Sequence, residues 1–265
     1  MRLSTRRLAG VMAAAVVAAA AVSPLAHGAS ATRIGEPVAE GMRLDTETDC
    51  DEWTPDSFSI GGITDEGDNI DLDVLVLLDG VGVAAATELM TKAARSYAPL
   101  DITLKAGFQS VSFAGNDAQS LINQAKAYVG GARPETVDVI HVLTAKPMTD
   151  PSTPPGATLA GLADCIGGVK DPRHAFSVAR VDFEPPTDVV LQLDVDTAAR
   201  VTAHEIGHLF GAHHHYANCV EGAASELNEL SPCTLMFNAT NFGSANFSQL
   251  NASMVRGHAV NYATP

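Results

Sequence analysis

Residues 204 to 214 read HEIGHLFGAHH. On an α-helix, positions i and i+4 share one face, so His204 and His208 can aim two imidazoles at a single ion. Glu205 lies one position further round and can reach a water beside that ion without ligating it. Gly211 offers the left-handed backbone that ends a helix and turns the chain. After such a turn His214 can return as a third ligand, which a continued helix could not place. Three neutral imidazoles suit zinc and leave its fourth position open, the pattern of catalytic rather than structural sites. The chemistry expected of this set is hydrolysis. Zinc acidifies a water and polarises a carbonyl, while Glu205 acts first as base and then as acid.

Such a set needs a scaffold. The spacing predicts a helix from about Asp194 to Phe210, entered after Pro185-Pro186 and ended at Gly211. Upstream, Asp71 to Leu78 is the apolar, β-branched run of a buried strand. Val83 to Tyr97 has helical spacing and is closed by Pro99, and Asp101 to Phe108 alternates as a strand. Asn116 or Asp117 caps a second helix through Tyr128, and Val137 to Leu143 is another apolar strand. Ala175 to Phe183 reads as a further strand, and Phe247 to His258 as a last, weakly helical piece. Strand, helix, strand, helix, strand implies an α/β arrangement with a mostly parallel sheet and crossover helices.

The first 29 residues stand apart. Arg2, Arg6 and Arg7 precede an apolar run from Leu8 to Val22, then Pro24 and small residues at Ala26, Gly28 and Ala29. That is the layout of a secretory signal peptide over 1–29, and the run is short for a membrane span. Residues 30–69 are polar and acidic and read as an N-terminal arm or a short pro-segment, in which Cys50 could cap the metal. The expected location is extracellular, with no membrane association once the signal is cleaved. Removing residues 1–29 takes three Arg and no acidic residue from a chain of net charge −15. The remaining acidity argues against nucleic acid as a partner and favours a soluble monomer. It would also suit Ca²⁺, although no EF-hand-type spacing is present. The four cysteines, Cys50, Cys165, Cys219 and Cys233, all lie in the exported part, and an even count favours two disulfides. Cys219 with Cys233 is the natural local pair, leaving Cys50 with Cys165. No pair has the close spacing of a structural zinc site. His141 falls within a strand and reads as a core residue, while His174 and His258 have no ligand spacing. Asn238, Asn246 and Asn251 begin N-x-[ST] sequons.

His204, Glu205, His208, Gly211 and His214 match the HExxHxxGxxH signature, and the chain resembles the metzincin zinc metallopeptidases. Met236, within SPCTLMF and 22 residues past His214, resembles that family's Met-turn. The run HEIGHLFGAHH, the Cys before Met236 and the pair Phe247-Ser248 look most like the reprolysin (adamalysin-like) branch, and the Ala-rich composition like a bacterial secreted type. Two positions depart from relatives. His215 stands where reprolysins usually carry Asp, and Asn238 where astacin-like and serralysin-like enzymes carry Tyr. The resemblance implies a twisted, mostly parallel five-stranded sheet with two backing helices, an active-site helix and a small irregular C-terminal subdomain. It implies a catalytic domain over 70–265, with an upper part 70–211 and a lower part 212–265. It further implies that the Gly-rich LAGLADCIGG forms an edge strand above the cleft, able to pair with an extended peptide. The activity implied is that of a secreted zinc metalloendopeptidase with protein or peptide substrates. The rival is a zinc-stabilised binding or toxin domain that does not cleave, against which the presence of Glu205 argues.

Overall fold

The computed structural model describes Cys50 and residues 68–151, 159–181, 197–214, 234–236 and 245–263. Its contacts separate Met1–Pro37 from Val38–Pro265, and every described residue lies in the second unit. The expected signal peptide, most of the 30–69 arm, Cys219, Cys233, His215 and Asn238 lie outside the described residues. Among the described residues no helix is long and apolar enough to cross a membrane.

Among the described residues, five strands form one sheet: β1 (Ile70–Asp79), β2 (Ile102–Val111), β3 (Val139–Thr144), β4 (Gly161–Ala163) and β5 (Phe176–Arg180), in the order β2-β1-β3-β5-β4. All neighbours are parallel except β4, which runs antiparallel to β5. Among the described residues the α-helices are α1 (Val83–Ala93), α2 (Ala118–Tyr128), α3 (Thr197–Leu209) and α4 (Gln249–Tyr262). The fold is therefore α/β with a mostly parallel sheet.

The two crossovers leave β1 and β2 in opposite directions across the sheet. The chain passes from β1 to β2 on one side, then from β2 back across β1 to β3. Since both crossovers are right-handed by rule, their helices must fall on opposite faces. Packing agrees. Ala86, Leu89, Met90 and Ala93 of α1 join α3 and α4 on the face presented by Leu72, Val74, Val76, Val139 and Leu143. Ala118, Leu121, Ile122 and Ala125 of α2 pack on the other face, with Leu77, Ile140, Val142 and Val178. Central β3, covered on both sides, is buried at all six positions, whereas β2 at the edge alternates.

Element limits shift from the sequence reading for local reasons. The helix α1 stops at Ala93 and continues as two 3-10 turns, Ala94–Ser96 and Ala98–Leu100. Pro99 disfavours α geometry at Ala98 and supplies no amide donor, so the chain tightens rather than extending the α-helix to Tyr97. The strand β2 runs on to Val111 because it pairs with β1 in register along ten residues. Asp117 caps α2, its Oδ1 accepting from the Ser120 amide at 2.7 Å. The Gly161 to Gly168 stretch is a strand for only three residues. Gly167, at φ 76°, then turns it into a 3-10 turn over Gly168–Lys170.

Candidate active site

The helix α3 is buried along almost its whole length, lying against β5, β4 and α1. Its end is a Schellman turn: the Gly211 amide donates to the His208 carbonyl at 2.9 Å, and the Ala212 amide to the Gly207 carbonyl at 3.0 Å. Gly211 has φ 85°, and a Cβ there would meet the His258 ring at 2.5 Å. Glycine is required twice over, by conformation and by space.

The turn brings His214 back to the helix. The three Nε2 atoms of His204, His208 and His214 lie 2.9 to 3.0 Å from one another, with all three residues buried. Two of the rings are oriented from behind. His204 Nδ1 lies 2.8 Å from the Leu235 carbonyl and His208 Nδ1 lies 2.7 Å from the Ala212 carbonyl. A carbonyl only accepts, so in each ring the proton sits on Nδ1 and the Nε2 carries a lone pair. The 3.0 Å approach of His204 Nε2 to His208 Nε2 is thus a meeting of acceptors, not a hydrogen bond, and a cation would make it favourable. Burial, then the nearby His208 and His214, pushes the His204 pKa well below its usual value, which keeps that ring neutral for ligation. The donor set fits zinc.

Met236 is fully buried. Its Sδ would lie 3.3 Å from a Cβ placed on Gly207, the residue between the two helical ligand turns, and Phe247 would lie 2.8 Å from the same Cβ. Glu205 is fully buried and faces β4, where a Cβ on Gly161 would fall 2.3 Å from its Oε1. Tyr97 donates to the Ala203 carbonyl at 2.7 Å, immediately before His204. Burial, then the Glu205 charge, raises the Tyr97 pKa, so its hydroxyl stays a donor.

A disulfide joins Cys50 to Cys165. This takes the Cys50 thiol out of the alternative role of metal cap and ties Cys50 just beyond β4. Asp164, Cys165 and His174 also stand close together. That group is an ion-pair cluster rather than a second metal site. The Cys165 sulfur is spent in the disulfide, and Asp164 Oδ2 takes Lys126 Nζ at 2.7 Å and His174 Nδ1 at 2.6 Å.

His141 is a core residue. Its Nδ1 lies 2.8 Å from Ser177 Oγ on β5 and its Nε2 3.3 Å from Thr202 Oγ1 on α3. Hydroxyls can donate or accept, so a neutral ring is satisfied at both nitrogens. Burial lowers its pKa from 6.5 to about 3. The unfolded chain takes up a proton near 6.5 that the folded chain refuses until about 3. Stability should therefore fall as pH drops through that window, by up to about 1.4 kcal/mol per unit. Urea unfolding between pH 6 and 4 should show a shallower pH slope in His141→Gln than in the wild type. Equal slopes would remove His141 as the source.

Residues 101–215 match the family model for the metallo-peptidase family M12B, reprolysin-like, a segment that ends on the third histidine and its neighbour. Over that segment the chain is similar to reprolysin-like metallopeptidases, and its three convergent histidines could hold a metal ion. Solved structures similar to this chain include archaemetzincin from Methanopyrus kandleri, at 16% identity and TM-score 0.49, covering 71% of this chain and 95% of that one. Two structures of myroilysin are also similar, at 13% and 14% identity and TM-scores of 0.31 and 0.25. They cover 67% and 64% of this chain and 55% and 61% of theirs. A search of curated proteins finds no match.

Several groups around the three-histidine site carry no signal in sequence spacing. Tyr97 reads as one more apolar helix position, Gly161 as one of several glycines, and Asn251 as a sequon. His258 has no partner at ligand spacing. Each meets the site only through the fold.

Proposed function

We propose that the protein is an exported endopeptidase in which Glu205 is the general base and then the general acid of peptide hydrolysis. The observation that carries this reading is the convergence of three buried imidazoles on one point, with the Glu205 carboxylate on the adjoining residue and turned toward β4. Zinc held by His204, His208 and His214 supplies Lewis acidity, which acidifies water and polarises a carbonyl. The protein's own residues do the rest. The Leu235 and Ala212 carbonyls keep the ligand rings in the tautomer that leaves Nε2 free. Glu205 takes a proton from the attacking water and passes it to the leaving amine, so one carboxylate serves both halves of the reaction. Outermost β4 offers main-chain groups to an extended peptide. The N-terminal Arg-rich and apolar stretch supports export, and the Cys50–Cys165 disulfide suits an oxidising compartment.

The test is hydrolysis of casein or gelatin by protein recovered outside the producing cell, with and without a chelator, alongside zinc analysis. One zinc per chain, cleavage abolished by chelation, and recovery on adding zinc back are expected. Zinc bound stoichiometrically with no cleavage of any protein or peptide library would favour a binding domain instead.

A further inference from the structure

His213 and His214 lie in neither helix nor strand. A ligand on such a stretch keeps its place only if the main chain beneath it is held from elsewhere. That hold comes from α4. Asn251 Oδ1 accepts from the His213 amide at 3.0 Å, and Asn251 Nδ2 donates to the His213 carbonyl at 3.0 Å. A carboxamide carries a donor and an acceptor on separate atoms of one plane, so it can satisfy both main-chain groups of one residue. A carboxylate lacks the donor, and a single hydroxyl oxygen cannot span both groups. Asn251 is only 3% exposed, so water does not substitute for either bond.

Asn251 is itself fixed. Ser248 caps α4, its Oγ accepting from the Asn251 amide at 3.3 Å. Phe247, just before the cap, sits edge-on to Tyr97 at a centroid distance of 5.3 Å and covers Gly207. The Asn246 carbonyl accepts from the Leu235 amide at 2.8 Å, and the Leu235 carbonyl in turn orients His204. About two turns along α4, His258 lies on Gly211, where the returning segment begins. Thus α4 bounds both ends of the span from the Schellman turn to the third ligand.

We propose that Asn251 is a positioning residue for the metal centre, clamping the His213 peptide so that the His214 imidazole meets those of His204 and His208. The proposal rests on reading the three histidines as metal ligands. Asn251 touches neither substrate nor reacting atoms; it acts through the main chain. The same contacts correct the sequon reading at this position, because the Asn251 amide nitrogen is buried and already donated.

The test is the zinc affinity of the full chain, by competition with a chromophoric chelator, in wild type, Asn251→Leu and Asn251→Asp. Leucine keeps the approximate shape and removes both bonds. Aspartate keeps the acceptor for the His213 amide but sets a second oxygen against the His213 carbonyl. Ser253→Ala, at a partly exposed position further along α4, serves as control. Both Asn251 variants should bind zinc about 10- to 100-fold more weakly and release it faster, with the control unchanged. Their melting temperatures should fall more in the zinc-loaded form than in the apoprotein. Zinc affinity within roughly two-fold of wild type in either folded variant would overturn the clamp, even if melting temperature fell, because packing alone would explain that. Hydrogen exchange on the wild-type apoprotein gives a reading that needs no variant to fold. The His213 amide should be protected, and exchange at the rate of an open chain would overturn the proposal. A wild type that bound no zinc would strike at the histidine reading instead, so the two failures are distinguishable.

Discussion

Glu205→Gln is expected to lower kcat by about 10²- to 10⁴-fold while the protein still holds its zinc. The substitution keeps the side chain's size and removes only its capacity to accept and return a proton. The three imidazoles and the carbonyls behind two of them are untouched, since Glu205 contributes to none of those contacts. Zinc content by elemental analysis and peptide turnover should therefore part company in this variant. Turnover at the wild-type rate with zinc bound would remove Glu205 as the base. Loss of zinc together with turnover would mean that the carboxylate helps hold the metal.

Gly161→Ala is expected to reach the same residue from the other side. An added Cβ would fall 2.3 Å from Glu205 Oε1 and 2.6 Å from both Cδ and Cγ, closer than atoms can approach. The carboxylate is the movable partner, so it must leave its position. A displacement on the order of 1 Å at a reacting group can cost roughly 10²-fold in rate. Turnover should fall by about that factor with zinc content unchanged. The double variant Gly161→Ala/Glu205→Gln separates this cause from a change in peptide pairing along β4. If the glycine acts by giving the carboxylate room, the double variant should be no slower than Glu205→Gln alone. Multiplicative losses would place the role of Gly161 in substrate contact rather than in seating the base.

These two residues show how differently parts of the site were legible. Glu205 is readable because it stands beside His204 in an eleven-residue run whose geometry a helix dictates. Gly161 lies 44 positions upstream in a stretch where several glycines look alike. Nothing local marks it as the one that meets Glu205. The Leu235 carbonyl is similar, since any residue carries a carbonyl and only packing decides which one meets a histidine. Asn251 is misleading in sequence, where Asn-Ala-Ser suggests an exposed sequon, because burial is not written in three residues. The scaffold follows the same division. Apolar runs at β1 and β3 and helical spacing at α1 and α2 are local patterns, and the structure has those elements with ends moved by a few residues. Pro99 explains one such shift and the ten-residue pairing of β1 with β2 another.

What the sequence determined by itself was the grouping of three histidines, the glutamate beside them and the glycine that turns the third histidine back. Each of these follows from periodicity and backbone preference over a few residues. Only the tertiary structure decided the strand order β2-β1-β3-β5-β4, the reversal of β4 and the seating of Glu205 against Gly161. It alone decided that α4 would reach the His213 peptide. Those features depend on which surfaces bury each other across long separations in the chain. A helix repeat or a turn residue says which face is apolar, but not which distant face will cover it.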